Sequence, residues 1–338
     1  MSETKKTTTP NASVGADAVQ PLLKNSTNSI TDSSNNCNLK TISMTELYDT
    51  VYPPRRPIVD NLLYSGTYLF VGAPKIGKSF FMGQLAYTVA TGLPLWEYEV
   101  HQGTVLYLAL EDDYARLQRR LSRMFGVEET DNLYFATQAK SVGGGLDEQL
   151  EEFVKVHPDV RLIIIDTLQK IRTASKDNAY ASDYGDISLI KDFADRHSLA
   201  VIVVHHIRKQ NDSDVFNKVS GTTGLTGSAD ATFVLEKENR ASDTARLYVT
   251  GRDTPYQEFV LRFRDCSWEL VERKTQEELA KEAIPDVLFR LVEFMQDKEE
   301  WRGTATELLA AMGESQTAPA VITKWLNEYR TTFLSENH

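Results

Sequence analysis

Short apolar runs alternate with amphipathic stretches from Thr67 to Thr250. The strand candidates are TYLFVG, TVLYLAL, NLYFAT, RLIIID, LAVIVVH, ATFVLE and ARLYVT. Several are apolar at successive rather than alternate positions, which suits strands covered on both faces in a parallel sheet. Between them the spacing predicts helices over 79–91, 112–125, 146–156 and 186–197. In the second, Tyr114, Leu117, Leu121 and Phe125 form an apolar stripe at helical spacing. Such alternation predicts an α/β, doubly wound domain, whose ligands sit beyond the carboxyl ends of the strands. After it, DTARLYVTGRDTPYQEFVLRF reads as two antiparallel strands joined by a turn at 251–256.

The flanks have other patterns. Residues 1–40 are rich in Ser, Thr and Asn, with few large apolar side chains, and are expected to form a disordered polar tail. A short helix is predicted from Ser43, carrying Met44, Leu47 and Tyr48, with Pro53 and Pro54 after it. The segment 273–338 is helix-like: KTQEELAKEAIPDVLFRLVEFMQ, WRGTATELLAAMGE and APAVITKWLNEYRTTF. Three helices without a β-wing resemble a truncated winged helix. Both a DNA-binding and a packing or protein-interaction role fit that piece. The expected organisation is therefore a tail at 1–40, an α/β domain at 41–272 and a helical domain at 273–338.

Composition narrows the class. The 338 residues carry a net charge of −11, which excludes a surface that coats nucleic acid all over but not a local basic lining. Cys37 and Cys266 are too few and too far apart for a disulfide framework or a zinc pattern. No apolar run reaches membrane-spanning length and no signal peptide opens the chain, so the expectation is a cytoplasmic protein with no membrane partner.

The chemistry gathers at strand ends. Gly72-Ala73-Pro74-Lys75-Ile76-Gly77-Lys78-Ser79 fits G-x-x-x-x-G-K-[ST], between an apolar strand and the helix 79–91, and with Phe80 forms the expected nucleotide-binding stretch. Glycines let backbone N–H groups turn toward phosphates, and the helix start adds partial positive charge. Lys78 can reach the β- and γ-phosphates of ATP, and the Ser79 hydroxyl can hold Mg²⁺. Asp166, after RLIII, matches the second metal-holding position of such sites. Glu111 follows TVLYLAL and has two readings, a water-orienting carboxylate or a residue that simply opens the next helix. His205-His206 ends LAVIVV with no companion ligands at zinc spacing, so a structural residue and a γ-phosphate sensor both fit. The polar segment 207–222 contains Arg208, Lys209 and Lys218 beside Asp212 and Asp214. It reads either as a solvated loop or as a nucleic-acid contact. Arg252, at the 251–256 turn, is either a surface cation or an arginine finger for a neighbour's nucleotide.

In their order, these motifs resemble those of RecA-fold hexameric helicases of the DnaB type. They resemble most the RepA-like ATPases of plasmids and mobile elements, over roughly residues 42–272. LYLALEDDYARLQRRL looks like the segment whose strand-end Glu positions water, which places Glu111, Leu117 and Arg120 on the matching positions. LIIIDTLQ resembles the Walker B segment. VIVVHHIRK resembles the strand ending in a γ-phosphate sensor, here His206. GLTGSADATFVL resembles the Gly-Ser…Ala-Asp segment. YVTGRD resembles the Lys-x-Arg element that enters the neighbouring subunit's site, except that Thr250 stands where that element has Lys, leaving Arg252.

The resemblance implies a RecA-like P-loop NTPase with a mostly parallel central sheet. It implies ATP and Mg²⁺ as ligands, a homo-oligomer of hexameric form, single-stranded DNA on Arg208, Lys209 and Lys218, and replication proteins as further partners. The leading expectation is an ATP-driven replicative helicase. A RecA-fold ATPase that does not unwind, acting as mediator or regulator on DNA, is the first alternative. A nucleotide-gated assembly protein is the second.

Overall fold

The computed structural model describes residues 41–172, 179–206, 215–216, 223–239 and 241–335. The predicted tail at 1–40 and the three basic positions Arg208, Lys209 and Lys218 lie outside the described residues. The chain divides into two compact units, Met1–Pro53 and Pro54–His338. In the first, helix α1 (Met44–Asp49) starts at Ser43 with a capping box: the Ser43 side chain accepts from Glu46 N–H, and the Glu46 carboxylate accepts from Ser43 N–H.

The second unit opens with a small ribbon, β1 (Pro57–Val59) and β2 (Leu63–Tyr64). The sheet strands follow in chain order: β3 (Gly66–Gly72), β4 (Thr104–Ala109), β5 (Leu133–Ala136), β6 (Val160–Asp166), β7 (Ala200–His206), β8 (Ala231–Glu236), β9 (Thr244–Gly251), β10 (Gln257–Arg264) and β11 (Ser267–Thr275). They form one sheet in the order β11-β10-β9-β8-β3-β7-β6-β4-β5. From β8 to β5 all neighbours are parallel; β8–β9, β9–β10 and β10–β11 are antiparallel. The chain leaves β3 toward β4 on one side and places β8 on the other, so β3 marks the crevice where such sheets hold ligands.

The helices between the strands are α2 (Lys78–Thr91), α3 (Tyr114–Phe125), α4 (Leu146–Val156), α5 (Leu168–Ile171), α6 (Ala179–His197) and α7 (Thr223–Ser228). Two cores result, one on each face. Phe70, Phe81, Met82, Tyr107, Leu247, Phe259 and Trp268 belong to the α2 side. Leu69, Val71, Ile163, Ile165, Phe193, Val201 and Val203 belong to the α6 side. Successive residues of β3 and β6 thus enter opposite cores, which is why these strands are apolar throughout. In α3 only Leu117 is buried, whereas Tyr114, placed in the predicted stripe, is exposed.

Beyond the sheet lie α8 (Gln276–Glu282), α9 (Asp286–Met295), α10 (Ala305–Ala311), α11 (Pro319–Glu328) and a π turn at Arg330–Leu334. The continuous helical pattern expected over 274–296 is broken at Pro285, which lacks the N–H a helix interior needs and becomes the N-cap of α9. Val287, Leu288, Leu291, Leu308, Leu309 and Ile322 form a separate small core. The sheet itself runs to Thr275, past the expected boundary at 272.

Candidate nucleotide site and its counterpart across the sheet

Gly72 ends β3, and Lys78 opens α2 after the turn Ala73–Gly77. Gly72 has no room for a side chain: a Cβ would lie 2.7 Å from both Leu235 O and Ile76 Cδ1. Gly77 has φ +100°, a left-handed conformation that only glycine adopts cheaply, and caps the helix. Pro74 and Lys75 face solvent, while Ile76 is buried and anchors the turn. Phe80 packs edge-on against Phe263 at 5.1 Å.

Five of the predicted side chains converge here because β3, β7, β6 and β4 are parallel and end together. Gly72 pairs with His206, and Asp166 with both Val204 and Ala109, two residues before Glu111. Ser79 Oγ donates to Asp166 Oδ2 at 2.8 Å, and Tyr107 OH donates to the same oxygen at 2.9 Å. Burial pushes the Asp166 carboxyl up, against the hydrogen bonds from Ser79 and Tyr107. Lys78 Nζ donates to Gly72 O at 2.8 Å, to Ala73 O at 2.9 Å and to His206 Nδ1 at 3.0 Å. Burial lowers its pKa to about 8. An ammonium can only donate, so His206 Nδ1 is the acceptor and its proton sits on Nε2. Nε2 faces Glu111 Oε1 at 3.8 Å, and Thr167 Oγ1 donates to that oxygen at 3.4 Å. A chain of polar contacts therefore links Lys78 to Glu111 through one imidazole.

The acidic residues after Glu111 act locally, as helix-opening residues do. Asp113 caps α3 by accepting Arg116 N–H at 2.7 Å. Asp112 pairs with Arg120 at 2.6 Å, and the Arg120 guanidinium lies 5.5 Å from the centre of the Phe80 ring.

Arg252 lies elsewhere. Gly251 pairs with Ala231 at the start of β8, and Ala231 pairs with Tyr68 near the start of β3. From Thr67 to Gly72 the strand rise spans about 17 Å, at ~3.3 Å per residue. Arg252 is thus at the opposite end of the sheet from Lys78. Its guanidinium is exposed and donates to Gly227 O at 3.1 Å.

Three residues at these ends had no predicted role, although Tyr107 and Asp230 fall inside segments that resemble the family's. Trp268 is fully buried, donates from its indole to Gly77 O at 3.1 Å, and lies 2.8 Å from where a Gly77 Cβ would stand. Its own backbone N–H and C=O are both bound by the Gln84 side chain of α2. Tyr107 is a phenol inside an otherwise apolar run, a signal that a polar atom lay nearby. Asp230 is 3% exposed at the entrance to β8.

Comparison with known proteins fits this architecture. An AAA-domain family matches residues 33–212, more than half of the 338 residues. The chain is a member of the AAA-domain family. Its fold is shared with a solved ATPase domain, at TM-score 0.52 and 15% identity over 62% of this chain and 85% of that one. A DnaB-like replicative helicase, solved in a study of its interactions with primase, matches at TM-score 0.52 and 14% identity. That match covers 62% of this chain and 58% of the helicase chain. No curated protein matches. The AAA domain here is thus a RecA-like P-loop NTPase, and family and fold together are those of an ATPase. No helix among the described residues of this AAA protein is long and apolar enough to cross a membrane.

Proposed function

We propose that the protein is an ATP-hydrolysing, ring-forming motor that works on single-stranded DNA, as a replicative helicase of a plasmid or mobile element. The observation that carries this reading is the division of the machinery across the sheet. Lys78, Ser79, Asp166, Glu111 and His206 gather at one end, and Arg252 stands exposed at the other. A single copy cannot bring Arg252 to its own phosphates, but a neighbouring copy in a ring can.

On this reading the backbone N–H groups of Gly77, Lys78 and Ser79 receive the phosphates at the start of α2. Lys78 exchanges its carbonyl and imidazole partners for β- and γ-phosphate oxygens. His206 Nδ1, released by Lys78, then reports whether a γ-phosphate is present. Glu111 orients the attacking water and accepts its proton, while Arg252 of the next copy offsets charge on the transferred group. A hydroxyl and a carboxylate already 2.8 Å apart are hard oxygen donors that suit Mg²⁺, which binds through one or two such groups plus phosphates rather than a full protein cage. Ser79 and Asp166 would hold that ion, and it supplies neutralisation of phosphate charge.

Arg208, Lys209 and Lys218, repeated around a ring, would track a DNA backbone despite the acidic whole. The test is Mg-ATP hydrolysis with and without single-stranded DNA, together with strand displacement on a forked duplex. Stimulation by DNA and displacement of the strand are expected. Hydrolysis indifferent to DNA, with no displacement, would discard the motor. DNA-stimulated hydrolysis without displacement would favour a non-unwinding mediator.

A further inference from the structure

The far end of the sheet is built around one carboxylate. Asp230 Oδ2 accepts Thr67 N–H at 2.9 Å, at the entrance to β3. Lys191 Nζ, from α6, donates to both Asp230 oxygens at 2.7 Å, and Arg55 Nη2 approaches Oδ1 at 3.4 Å. Burial alone would raise this carboxyl's pKa. The hydrogen bonds from Lys191 and the Thr67 N–H outweigh it and hold the group ionised, below its ordinary range. A buried charge is costly to maintain, and without it Lys191 and Arg55 would keep, among the described residues, only their contacts to Asp195 and Asp253, each at 3.4 Å.

The backbone of the same residue holds Arg252. Asp230 O accepts Arg252 N–H at 2.9 Å. Gly251, the residue before, fits only because it lacks a Cβ, which would stand 2.6 Å from Asp230 O. On the other flank, Arg55 Nη2 lies 3.4 Å from Asp253 Oδ2. The arginine therefore sits between two residues, 230 and 253, that share one guanidinium. That guanidinium is tied to the carboxylate which also fixes β3 and α6.

We propose that Asp230 is the positioning residue for Arg252, with Arg55 as its outer brace. It sets the depth at which Arg252 meets a neighbouring copy's triphosphate. This rests on the trans role of Arg252 proposed above. Misplacement of a reacting group by about 1 Å costs on the order of 100-fold in rate, so an arginine on the turn between β9 and β10 needs such an anchor.

The test is subunit mixing with the full chain. Asp230→Asn keeps an acceptor for Thr67 N–H but loses the charge. Its own nucleotide site is intact, so affinity for a non-hydrolysable Mg-ATP analogue should stay within about twofold while ATPase falls at least tenfold. Lys78→Ala has a dead site and a sound Arg252. Mixed, the two should hydrolyse more ATP than the sum of the separate proteins, because Lys78→Ala subunits lend Arg252 to Asp230→Asn sites. Arg55→Gln, changed at a half-exposed side chain, should behave likewise and decides the matter if Asp230→Asn does not fold. Asp230→Asn/Arg252→Ala should be no slower than Arg252→Ala. If Arg252→Ala with Lys78→Ala shows no gain on mixing, the trans reading fails and the positioning role falls with it. If that pair gains but the Asp230→Asn and Arg55→Gln pairs do not, the positioning role alone is wrong.

Discussion

Lys78, Asp166 and Asp230 are three buried charges with three different local solutions. Lys78 has its ammonium protons taken up by Gly72 O, Ala73 O and His206 Nδ1. Asp166 is held by two hydroxyls, and Asp230 by two cations and an amide. For Asp230 the consequence is a pH dependence with a definite sign. Its folded pKa lies below the ordinary 3.8, so its ionised partners stabilise the fold above that value. The contribution disappears as pH falls through the lowered folded pKa. Chemical unfolding of wild type and Asp230→Asn should therefore differ most above the ordinary carboxylate range, and the difference should shrink as pH falls below 3.8 and through the lowered folded value. At Glu111 the expectation is kinetic. Glu111→Gln keeps the Thr167 contact but cannot accept a proton, so turnover should drop about 10²–10⁴-fold. Equilibrium binding of a labelled ATP analogue should be retained. Lys78, Ser79 and Asp166 were legible because the loop and the strand-end carboxylate have fixed spacing and flanks. The partnership of Tyr107 with Asp166, and of Thr167 with Glu111, was not, because strand register alone brings them together.

The least legible element was β11. Period-two alternation should mark an edge strand, but the register slips here: Val260 faces Glu272 and Leu261 faces Leu270, leaving Val271 over as the extra residue. Val271 is accordingly half exposed and the alternation reverses at that point, so the stretch shows no unbroken period of two, and its last two residues, Lys274 and Thr275, open the run that reads as a helix. Yet this strand carries Trp268, which closes on the phosphate loop. Trp268→Phe removes the indole donor to Gly77 O, and unfolding in urea should show a loss of about 1 kcal/mol. Gly77→Ala is the harsher change, since φ +100° and the adjacent indole both oppose a Cβ. Backbone strain of that kind costs roughly 1–3 kcal/mol, and nucleotide binding should be lost with it, as titration with a fluorescent analogue would show. The parallel strands, by contrast, were readable almost to the residue, because burial on both faces leaves an unbroken apolar run.

At the scale of the molecule, the core of α9, α10 and α11 shares no residue with either core of the sheet. Across the junction between β11 and α8, Lys274 pairs with Glu282 on the surface. A chain ended after Thr275 should therefore fold and bind Mg-ATP analogues as the full chain does. The measurement is thermal unfolding with and without nucleotide, and loss of the nucleotide-dependent shift would show that the terminal helices support the sheet.

On the trans role proposed for Arg252, its separation from Lys78 along β3 and β8 also gives the protomer a direction, a donor end and an acceptor end. A two-fold dimer in which like ends meet would leave both sites without that arginine, whereas an antiparallel one would complete both. A head-to-tail contact also mates unlike ends, and in an open string one site at the end stays incomplete. Ring closure removes that vacancy. On the trans role proposed above, turnover per protomer should climb with protein concentration and level off once assembly is complete.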